Sequence, residues 1–407
     1  MGLRIVIDDA VAWQNEAFGH LGRLRAMPGP RITRNALRDA DALIVRSVTR
    51  VDASLLDGTP VRFVGSATAG EDHIDRRALE ARGITVARAP GCNAQAVAEY
   101  VVSVLAHARH WRMGEPPGPV GVIGLGHVGR RTTRALRALG YHVLACDPPL
   151  AELRERREPI DDPDPTLANM ARFERLNALD DLLESAFVLT LHVPLTRIGP
   201  HPTARMFDGM RLHRLRHGQL LLNTSRGGVI DDAALEHWLA REGRAVLDVW
   251  EGEPTPRTGL FAPKGVQLGT PHVAGYSLDG KVAATRMVHE ALCRFLGREP
   301  TFDGHEVLGP PGMIPLRCDD PRASRDWRPW VEAAIPLHPD DKALRRVVAG
   351  PSAQRGRAFE ALRRGYSLRR ELSAFRVERA TLDAPTHQHL TALGLVVPPS
   401  ALTPPTR

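Results

Sequence analysis

The stretch Val120-Gly-Val-Ile-Gly-Leu-Gly-His-Val-Gly129 decides the fold of this 407-residue chain. Its apolar start, residues 120–123, predicts a buried β-strand, and the Arg-, Ala- and Leu-rich segment that follows it favours a helix. The spacing G-x-G-x-x-G between a strand and a helix is typical of a phosphate-binding turn. Gly124 allows the tight turn, Gly126 lets a pyrophosphate approach the backbone, and Gly129 lets the helix and strand pack closely.

The continuation of this segment predicts the cofactor. Backbone amides at the start of the predicted helix, at His127 and Val128, would face the phosphates. The next predicted strand ends at Asp147, where a carboxylate can accept hydrogen bonds from the adenosine ribose hydroxyls and would repel the extra phosphate of NADP. The sequence therefore predicts an NAD site. A structural glycine turn followed by an unrelated surface aspartate is the alternative interpretation.

Strand-like apolar runs recur along the chain and alternate with helix-favouring segments. This alternation predicts βαβ units and parallel sheets. The predicted strands are Arg4–Ile7, Ala42–Arg46, Phe63–Gly65, Thr85–Ala87, Val120–Ile123, His142–Cys146, Phe187–His192, Gln219–Asn223, Ala245–Asp248 and Gln267–Gly269. The six runs from residue 120 onward fit a doubly wound, Rossmann-type dinucleotide domain.

Three polar side chains follow the last three predicted strands and suit hydride transfer from a 2-hydroxy acid. The forked guanidinium of Arg226 can bind a carboxylate and a developing carbonyl in two hydrogen bonds. His272 is the residue type best suited to take a hydroxyl proton near neutral pH, and Glu253 can hold that imidazole and favour its protonated form. Each residue alone has an ordinary explanation, as a surface charge, a turn residue or the end of a strand. Their occurrence after successive strands of a dinucleotide domain is what favours catalysis.

Composition and charge restrict the other classes of function. The chain has a net charge of +7, but only three of its 54 basic residues are Lys and the charges are interleaved with Asp and Glu, so nucleic-acid binding is not predicted. No apolar run approaches the roughly 20 residues that cross a bilayer. The first residues lack the layout of a signal peptide, so we expect a cytoplasmic protein. Cys92, Cys146, Cys293 and Cys318 show no paired spacing, so neither a metal site nor a disulfide framework is predicted.

Several segments outside the strands are also assigned from their composition. A long buried helix is predicted from Asn93 to about His110, followed by a Pro/Gly-rich break at 114–119. Residues 148–166 are predicted to form a surface loop and residues 299–336 a linker. The domains predicted are a substrate or lid domain, 1–95, completed by about 276–298; an NAD-binding domain, 96–275; a C-terminal domain, 299–398; and a disordered tail, 399–407.

The sequence blocks around the three polar residues carry a family resemblance. Asn223-Thr-Ser-Arg226-Gly, Leu247-Asp-Val-Trp-Glu-Gly-Glu253-Pro and Thr270-Pro-His272 resemble the signature blocks of the D-isomer-specific 2-hydroxyacid dehydrogenases. The resemblance implies that Arg226 binds substrate, that Glu253 supports His272, and that His272 is the acid/base. It also implies a flavodoxin-like lid domain and a small α+β C-terminal domain that forms a homodimer.

Further blocks resemble one branch of that family, which acts on a phosphorylated four-carbon 2-hydroxy acid. They include 45–50, 67–75, 90–100, 272–281 and 361–370, so the resemblance spans nearly the whole chain. It implies that Ser47, Thr68 and Tyr276 contact substrate and that Thr190, Asp248 and Gly275 line the NAD site. For the two short hydroxyl residues, local turn bonds are the alternative.

Two positions beside the expected substrate loops are judged from their charge. Arg46 follows a predicted strand, and its charge and position suggest that it meets the substrate phosphate. Glu71 puts a negative charge where the family more usually has a small neutral residue, which bears on fine specificity. The function expected is NAD-dependent oxidation of a small phosphorylated 2-hydroxy acid. The alternatives are another acid, such as 3-phosphoglycerate or a small 2-keto acid, an NAD-sensing corepressor-like protein, and a structural scaffold.

Overall fold

The computed structural model of the chain describes residues 2–108, 118–160, 162, 164–241 and 243–402. They form two compact units: unit 1 comprises Met1–Ala94 with Tyr276–Pro310, and unit 2 comprises Gln95–Gly275 with Pro311–Arg407. The three-domain division expected from the sequence stays a prediction, because the C-terminal segment here belongs to the same unit as the residues of the dinucleotide domain.

The elements alternate along most of the chain. The strands are β1 Leu3–Asp8, β2 Gly22–Met27, β3 Ala42–Val45, β4 Phe63–Ser66, β5 Thr85–Ala87, β6 Val120–Ile123, β7 Val143–Cys146, β8 Val188–Leu191, β9 Leu220–Asn223, β10 Arg244–Leu247, β11 Leu268–Gly269, β12 Ile314–Leu316 and β13 Phe375–Val377. The α-helices are α1 Gln14–Phe18, α2 Ala53–Leu56, α3 Arg76–Glu80, α4 Ala94–His107, α5 His127–Ala138, α6 Pro148–Glu155, α7 Pro165–Phe173, α8 Leu179–Ser185, α9 Gly209–Arg214, α10 Asp232–Ala240, α11 Leu278–Leu296, α12 His305–Leu308, α13 Arg328–Ala334, α14 His338–Ala349, α15 Ser352–Arg364 and α16 Ala384–Ala392.

Unit 1 is built on a parallel five-stranded sheet in the order β2-β1-β3-β4-β5. This is the strand order of flavodoxin-like sheets, so the predicted class of the first domain is confirmed. Alternate side chains of β1 enter the two cores: Ile5 and Ile7 pack on one face, with Val288 of α11, and Val6 packs on the other. The sheet reverses its strand order between β1 and β3, and ligands of such sheets bind at the carboxyl ends of the strands there.

Unit 2 contains a parallel six-stranded sheet in the order β11-β10-β9-β8-β6-β7. Every residue of β6, β8 and β9 is buried, which explains why these strands are continuous apolar runs rather than alternating ones. The strand order reverses between β6 and β8. The predicted Rossmann-type domain is confirmed. Because the strands are parallel, the loops after β6, β8, β9, β10 and β11 all begin at the same edge of the sheet.

Three expectations about irregular segments were wrong. Residues 148–155 form α6, because Asp147 caps its N-terminus and proline is tolerated in the first turn of a helix. The supposed linker contains β12 and α13, with Trp330 of α13 buried. The supposed tail continues as a 3-10 helix at Pro399–Ala401, and the carbonyl of Ala401 accepts the amide of Leu382. The end of that tail, 403–407, lies outside the described residues, as do residues 109–110 of the predicted long helix and most of the predicted break.

The C-terminal part of unit 2 mixes helices α13 to α16 with a parallel pair of strands, β12 and β13. Its role as a dimerisation domain is a prediction that a single chain leaves untested. Among the described residues, no helix combines the length and apolar character that a membrane span requires. Within the same residues, no cluster of three or more His, Cys, Asp or Glu side chains has the arrangement of a metal site.

Candidate active site

The glycine turn after β6 has the close contacts that its sequence predicts. Gly124 has a φ of +90°, and a Cβ there would lie 2.5 Å from the carbonyl oxygen of His192. A Cβ on Gly129 would collide with the carbonyl oxygen of Gly124, so the first turn of α5 can pack on β6 only without a side chain. Gly126 faces open space, with no atom within 4 Å of a built Cβ. The turn is therefore tight on its protein side and open where a ligand would approach.

Asp147 fixes this turn from the end of the neighbouring strand. Its carboxylate accepts the amide of Leu125 at 2.7 Å and the amide of Leu150 at 2.9 Å. One acidic side chain thus ties the glycine turn after β6 to the start of α6 after β7. The partly buried carboxylate keeps acceptor positions for ribose hydroxyls, because each of its oxygens accepts one of these two bonds.

His127 and Val128 occupy the first turn of α5, as predicted, and an acidic residue that the sequence did not single out lies against the same turn. The carboxylate of Asp162 is 3.3 Å from the imidazole of His127 and 3.1 Å from the guanidinium of Arg130. This pairing explains how a basic first turn is tolerated, since a helix N-terminus carries positive partial charge.

Thr190 and His192 lie at the end of β8, across the strand-order reversal from the glycine turn. The hydroxyl of Thr190 is 3.0 Å from Nε2 of His192, and Nδ1 of that ring is 3.4 Å from the hydroxyl of Thr224. Burial lowers the pKa of His192 to about 3, so the ring is neutral at physiological pH. Sequence reasoning selected Thr190 but missed His192, whose only signal was its position directly after a strand.

Arg226 follows β9, and two hydrogen bonds within its own loop hold its backbone and its side chain. Asn223 donates to the Arg226 carbonyl at 3.0 Å, and the Arg226 guanidinium donates to the Ser225 carbonyl at 2.9 Å. The next residue, Gly227, lies against the backbone of Trp250, where a Cβ would collide with the Trp250 carbonyl. The absence of that side chain lets the Arg226 loop pack on the loop that carries Glu253.

Glu253 and His272 form the pair that the sequence predicts. Oε2 of Glu253 lies 2.8 Å from Nδ1 of His272, and Oε1 accepts the amide of Trp250 at 2.9 Å. Burial alone would raise the pKa of Glu253. The hydrogen bond and positive charge of His272 and the Trp250 amide outweigh burial, and the pKa of Glu253 is below its usual value. The bond to Nδ1 leaves Nε2 as the nitrogen available to a substrate.

The loop that carries His272 is held by a buried carboxylate. His272 has a φ of +59°, a left-handed conformation that costs a residue with a Cβ about 1–3 kcal/mol. Its amide donates to the Asp248 carbonyl at 2.7 Å, and the amides of Val273 and Ala274 donate to the Asp248 carboxylate at 2.8 and 3.0 Å. These three bonds offset the strain and fix the direction of the imidazole.

Asp248 is only 1% exposed and is the centre of a wider network. Its carboxylate accepts a hydrogen bond from the hydroxyl of Thr270 at 2.6 Å. The Thr270 hydroxyl also lies 2.7 Å from the hydroxyl of Tyr100 on α4. Burial raises the pKa of Asp248, while the charge of His272 and these hydrogen bonds oppose the rise. Its contacts in the structure therefore position the His272 loop. Gly275, the last residue of unit 2 before the chain returns to unit 1, is half-buried.

The residues of unit 2 fit a bound dinucleotide. The open face at Gly126 and the first amides of α5 would hold the pyrophosphate, and Asp147 would hold the adenosine ribose. Thr190 and His192 line the reversal point between β6 and β8, where doubly wound sheets bind such cofactors.

Unit 1 places Ser47 and Thr68 after neighbouring strands, β3 and β4. Ser47 is exposed, whereas Thr68 belongs to a hydrogen-bonded chain. The Thr68 hydroxyl donates to the Gly70 carbonyl at 3.3 Å and lies 2.9 Å from the hydroxyl of Ser66. The Ser66 hydroxyl lies 3.1 Å from Nε2 of His73. The turn bond expected as the local alternative for Thr68 is thus present.

Glu71, which stands where the family more usually has a small neutral residue, has its negative charge partly neutralised. Its carboxylate lies 3.1 Å from the guanidinium of Arg88, and both side chains belong to unit 1. Arg46 lies at the end of β3 and Tyr276 just before α11, both half-buried in the same unit. Unit 1 thus brings together the predicted substrate contacts Arg46, Ser47 and Thr68 at the carboxyl ends of adjacent strands.

The chain has extensive similarity to known proteins. Residues 116–274 match the model of the D-isomer-specific 2-hydroxyacid dehydrogenase NAD-binding domain. The erythronate-4-phosphate dehydrogenase of Salinibacter ruber is 44% identical over 96% of this chain and 97% of its own length. The chain belongs to the erythronate-4-phosphate dehydrogenase family. The Azotobacter vinelandii member is 42% identical over 96% of this chain and 99% of its own length.

Solved structures agree with this assignment at the level of the fold. The NAD-bound 3-phosphoglycerate dehydrogenase of Entamoeba histolytica has a TM-score of 0.58 at 21% identity, covering 73% of this chain and 96% of its own. As a member of the erythronate-4-phosphate dehydrogenase family, the chain is an oxidoreductase with NAD as its cofactor. The sequence-based predictions of family, fold and cofactor are confirmed, while the roles of individual residues stay predictions.

Proposed function

We propose that this protein oxidises 4-phospho-D-erythronate with NAD to (R)-3-hydroxy-2-oxo-4-phosphooxybutanoate, a step in pyridoxal 5'-phosphate biosynthesis. The observation that carries the proposal is the Glu253–His272 pair, 2.8 Å apart, on the loops after adjacent strands of a dinucleotide-binding sheet. Relatives that carry this enzyme name match nearly the whole chain.

In this mechanism His272 moves the proton. Nε2 accepts the proton of the C2 hydroxyl, and the carboxylate of Glu253 on the opposite ring nitrogen stabilises the imidazolium that forms. When bound, NAD accepts the hydride from C2. The left-handed backbone of His272, held by Asp248, keeps the imidazole in one direction, so little reorganisation accompanies proton transfer.

Arg226 acts on the carboxylate end of the substrate. Its guanidinium would bind the carboxylate and stabilise the negative charge that develops on the C2 oxygen. The packing of Gly227 on Trp250 fixes the Arg226 loop against the Glu253 loop, so the cation and the base are carried by one rigid part of unit 2.

The remaining substrate contacts are assigned to unit 1. Ser47, Thr68 and Tyr276 would bind the hydroxyl and carboxylate oxygens, and Arg46 the phosphate. A homodimer formed through the C-terminal segment and a cytoplasmic location also belong to the proposal, in keeping with a biosynthetic enzyme of this family.

The test is NADH formation from 4-phosphoerythronate and NAD, with erythronate and 3-phosphoglycerate run in parallel. A 2-keto acid is added to a duplicate set, to reoxidise NADH that stays bound. Turnover selective for the phosphorylated four-carbon acid is expected. Selective turnover of 3-phosphoglycerate, or NAD binding without turnover of any acid, contradicts the proposal.

A further inference from the structure

Unit 1 contains a half-buried lysine, Lys281, in addition to the half-buried Arg46. Lys281 is in the first turn of α11, half-buried, with Nζ 5.7 Å from the centre of the Tyr276 ring. Burial lowers the pKa of Lys281, and the positive charge of Arg46 adds to this lowering. Arg46 and Lys281, termed the cation pair below, thus flank the predicted substrate residues Ser47 and Tyr276 in the sequence.

The cation pair lacks the partners that buried cations usually have. Among the residues that the structure describes, neither side chain forms an ion pair or a side-chain hydrogen bond. Most other half-buried cations among the described residues are paired, as Arg88 is with Glu71 and Arg345 with Asp341. Two half-buried cations that influence each other without a carboxylate partner are repelled and lose hydration, so their arrangement is unfavourable until an anion binds.

The position of Lys281 on its helix adds to this cost. Ser277 caps α11, accepting the Gly280 amide at 2.9 Å, so Lys281 lies within the first turn of a 19-residue helix. A cation there opposes the helix dipole, which favours negative charge at this end. An anion bound beside Lys281 would be favoured by the cation pair and the dipole together.

The choice of lysine is itself informative. Lys281 is one of three lysines among the 54 basic residues, and the other two, Lys264 and Lys342, are exposed. Lys281 is thus the one half-buried lysine among the described residues, whose other half-buried basic residues are arginines. A compact ammonium on a long stem, lying on an aromatic ring, suits a rounded dianion that offers several oxygen atoms.

We infer that Lys281, together with Arg46, binds the phosphate of the substrate and is a specificity-determining residue that selects the phosphorylated acid over its unphosphorylated counterpart. This inference rests on the proposed function for the identity of the acid. The phosphate carries about two negative charges at neutral pH, which matches the two cations.

The decisive experiment compares two substrates in three variants. K281M removes the ammonium that lies over the Tyr276 ring but keeps an unbranched apolar side chain, K281R keeps the charge, and K342M alters an exposed lysine as the matched control. We expect K281M to lower kcat/KM for 4-phosphoerythronate about 10- to 100-fold, mainly through KM, from the loss of a charged hydrogen bond. Activity with erythronate should change little, K281R should recover part of the loss, and K342M should match wild type.

Equal losses with both substrates, or no loss with either, would overturn the inference. K281Q replaces K281M if the latter does not fold, as judged by its melting temperature and NAD affinity, and the same criteria apply. Titration with inorganic phosphate separates this inference from the proposed function, because it needs no turnover. Phosphate should bind wild type about tenfold more tightly than the neutral variant; equal affinities contradict the role of Lys281 whichever acid is the substrate.

Discussion

The charged residues of the two candidate site regions are held in different ways. In unit 2 the carboxylates of Asp147, Asp248 and Glu253 each accept at least one backbone amide, so their positions are fixed before any ligand binds. In unit 1 the cation pair, Arg46 and Lys281, has no such partners among the described residues. Both sheets are parallel, and ligands of parallel sheets bind at the carboxyl ends of the strands, so topology does not explain the difference.

The comparison shows how one chain divides its tasks. Hydride and proton transfer need groups held within a narrow geometry, and the hydrogen-bonded carboxylates of unit 2 supply it. Substrate selection needs charges that gain a partner only when the correct acid is present, and the cation pair of unit 1 has that property. Variants of His272 and of the hydrogen-bonded carboxylates in unit 2 should therefore affect kcat and cofactor binding, whereas variants of the cation pair should affect discrimination between acids.

The largest effect is expected at His272. H272N removes the base, so kcat should fall about 100- to 10,000-fold, because general base catalysis contributes about that much. NAD affinity, measured by calorimetric titration, should remain near that of wild type. His305, an exposed histidine in unit 1, gives the control H305N, which should have full activity. Unchanged turnover in H272N would remove His272 from the mechanism.

A smaller loss is expected at Glu253. E253Q keeps the shape of the side chain but removes the charge that stabilises the imidazolium, and a charged hydrogen bond contributes about 1.5–3 kcal/mol, or about 10- to 150-fold in kcat. E251Q is the matched control on the same loop, since exposed Glu251 pairs with Arg205 at 3.0 Å. Equal losses in E253Q and E251Q would show that the loop, rather than the pair with His272, is affected.

Asp147 tests the cofactor side of unit 2. D147N can retain the cap of α6, because asparagine caps helices as well as aspartate does, but its NH2 group replaces the oxygen that accepts the Leu125 amide, and the charged acceptor for the ribose hydroxyls is lost. We expect about tenfold weaker NAD binding and a reduced preference for NAD over NADP, as for the loss of a charged hydrogen bond. D164N, at the cap of α7, is the control. An unaltered preference between the two cofactors would contradict the role of Asp147.

The smallest effect concerns the stability of unit 1 at acid pH. Burial lowers the pKa of His289, whose Nε2 accepts the amides of Thr301 and Phe302 at 3.0 and 3.2 Å. The neutral ring is thus favoured in the folded state, and its contribution to stability is present above the unfolded pKa of about 6.5 and lost as the pH falls below it. The melting temperature should therefore fall on acidification, and less steeply in H289Q. An identical pH dependence in the two proteins would contradict this account.

Much of the fold was predictable because its strands are buried on both faces. Continuous apolar runs such as Val120–Ile123 stand out against a polar background. The edge strand β2 was missed, since Arg23 and Arg25 alternate with apolar residues and the strand is largely exposed. Residues 148–155 were assigned to a loop because charged residues and prolines obscured a helix whose cap, Asp147, had already been assigned to the cofactor.

The site was predictable where one residue type has one chemical task. The positions of His272, Glu253 and Arg226 after strands were enough to select them. The network from Asp248 through Thr270 to Tyr100 was not predictable, because it joins residues up to 170 positions apart in the sequence. Lys281 was noted only as part of a longer block; its lack of a carboxylate partner is a property of the fold, which no local pattern records.

The most direct test of the central claim uses 4-phosphoerythronate labelled with deuterium at C2. With wild-type enzyme and NAD, the account predicts that the label moves to C4 of the nicotinamide ring, with a slower rate if hydride transfer limits turnover. Recovery of unlabelled NADH, or of the label still at C2 of the oxidised product, would contradict oxidation at C2 and with it the assigned roles of His272 and Arg226.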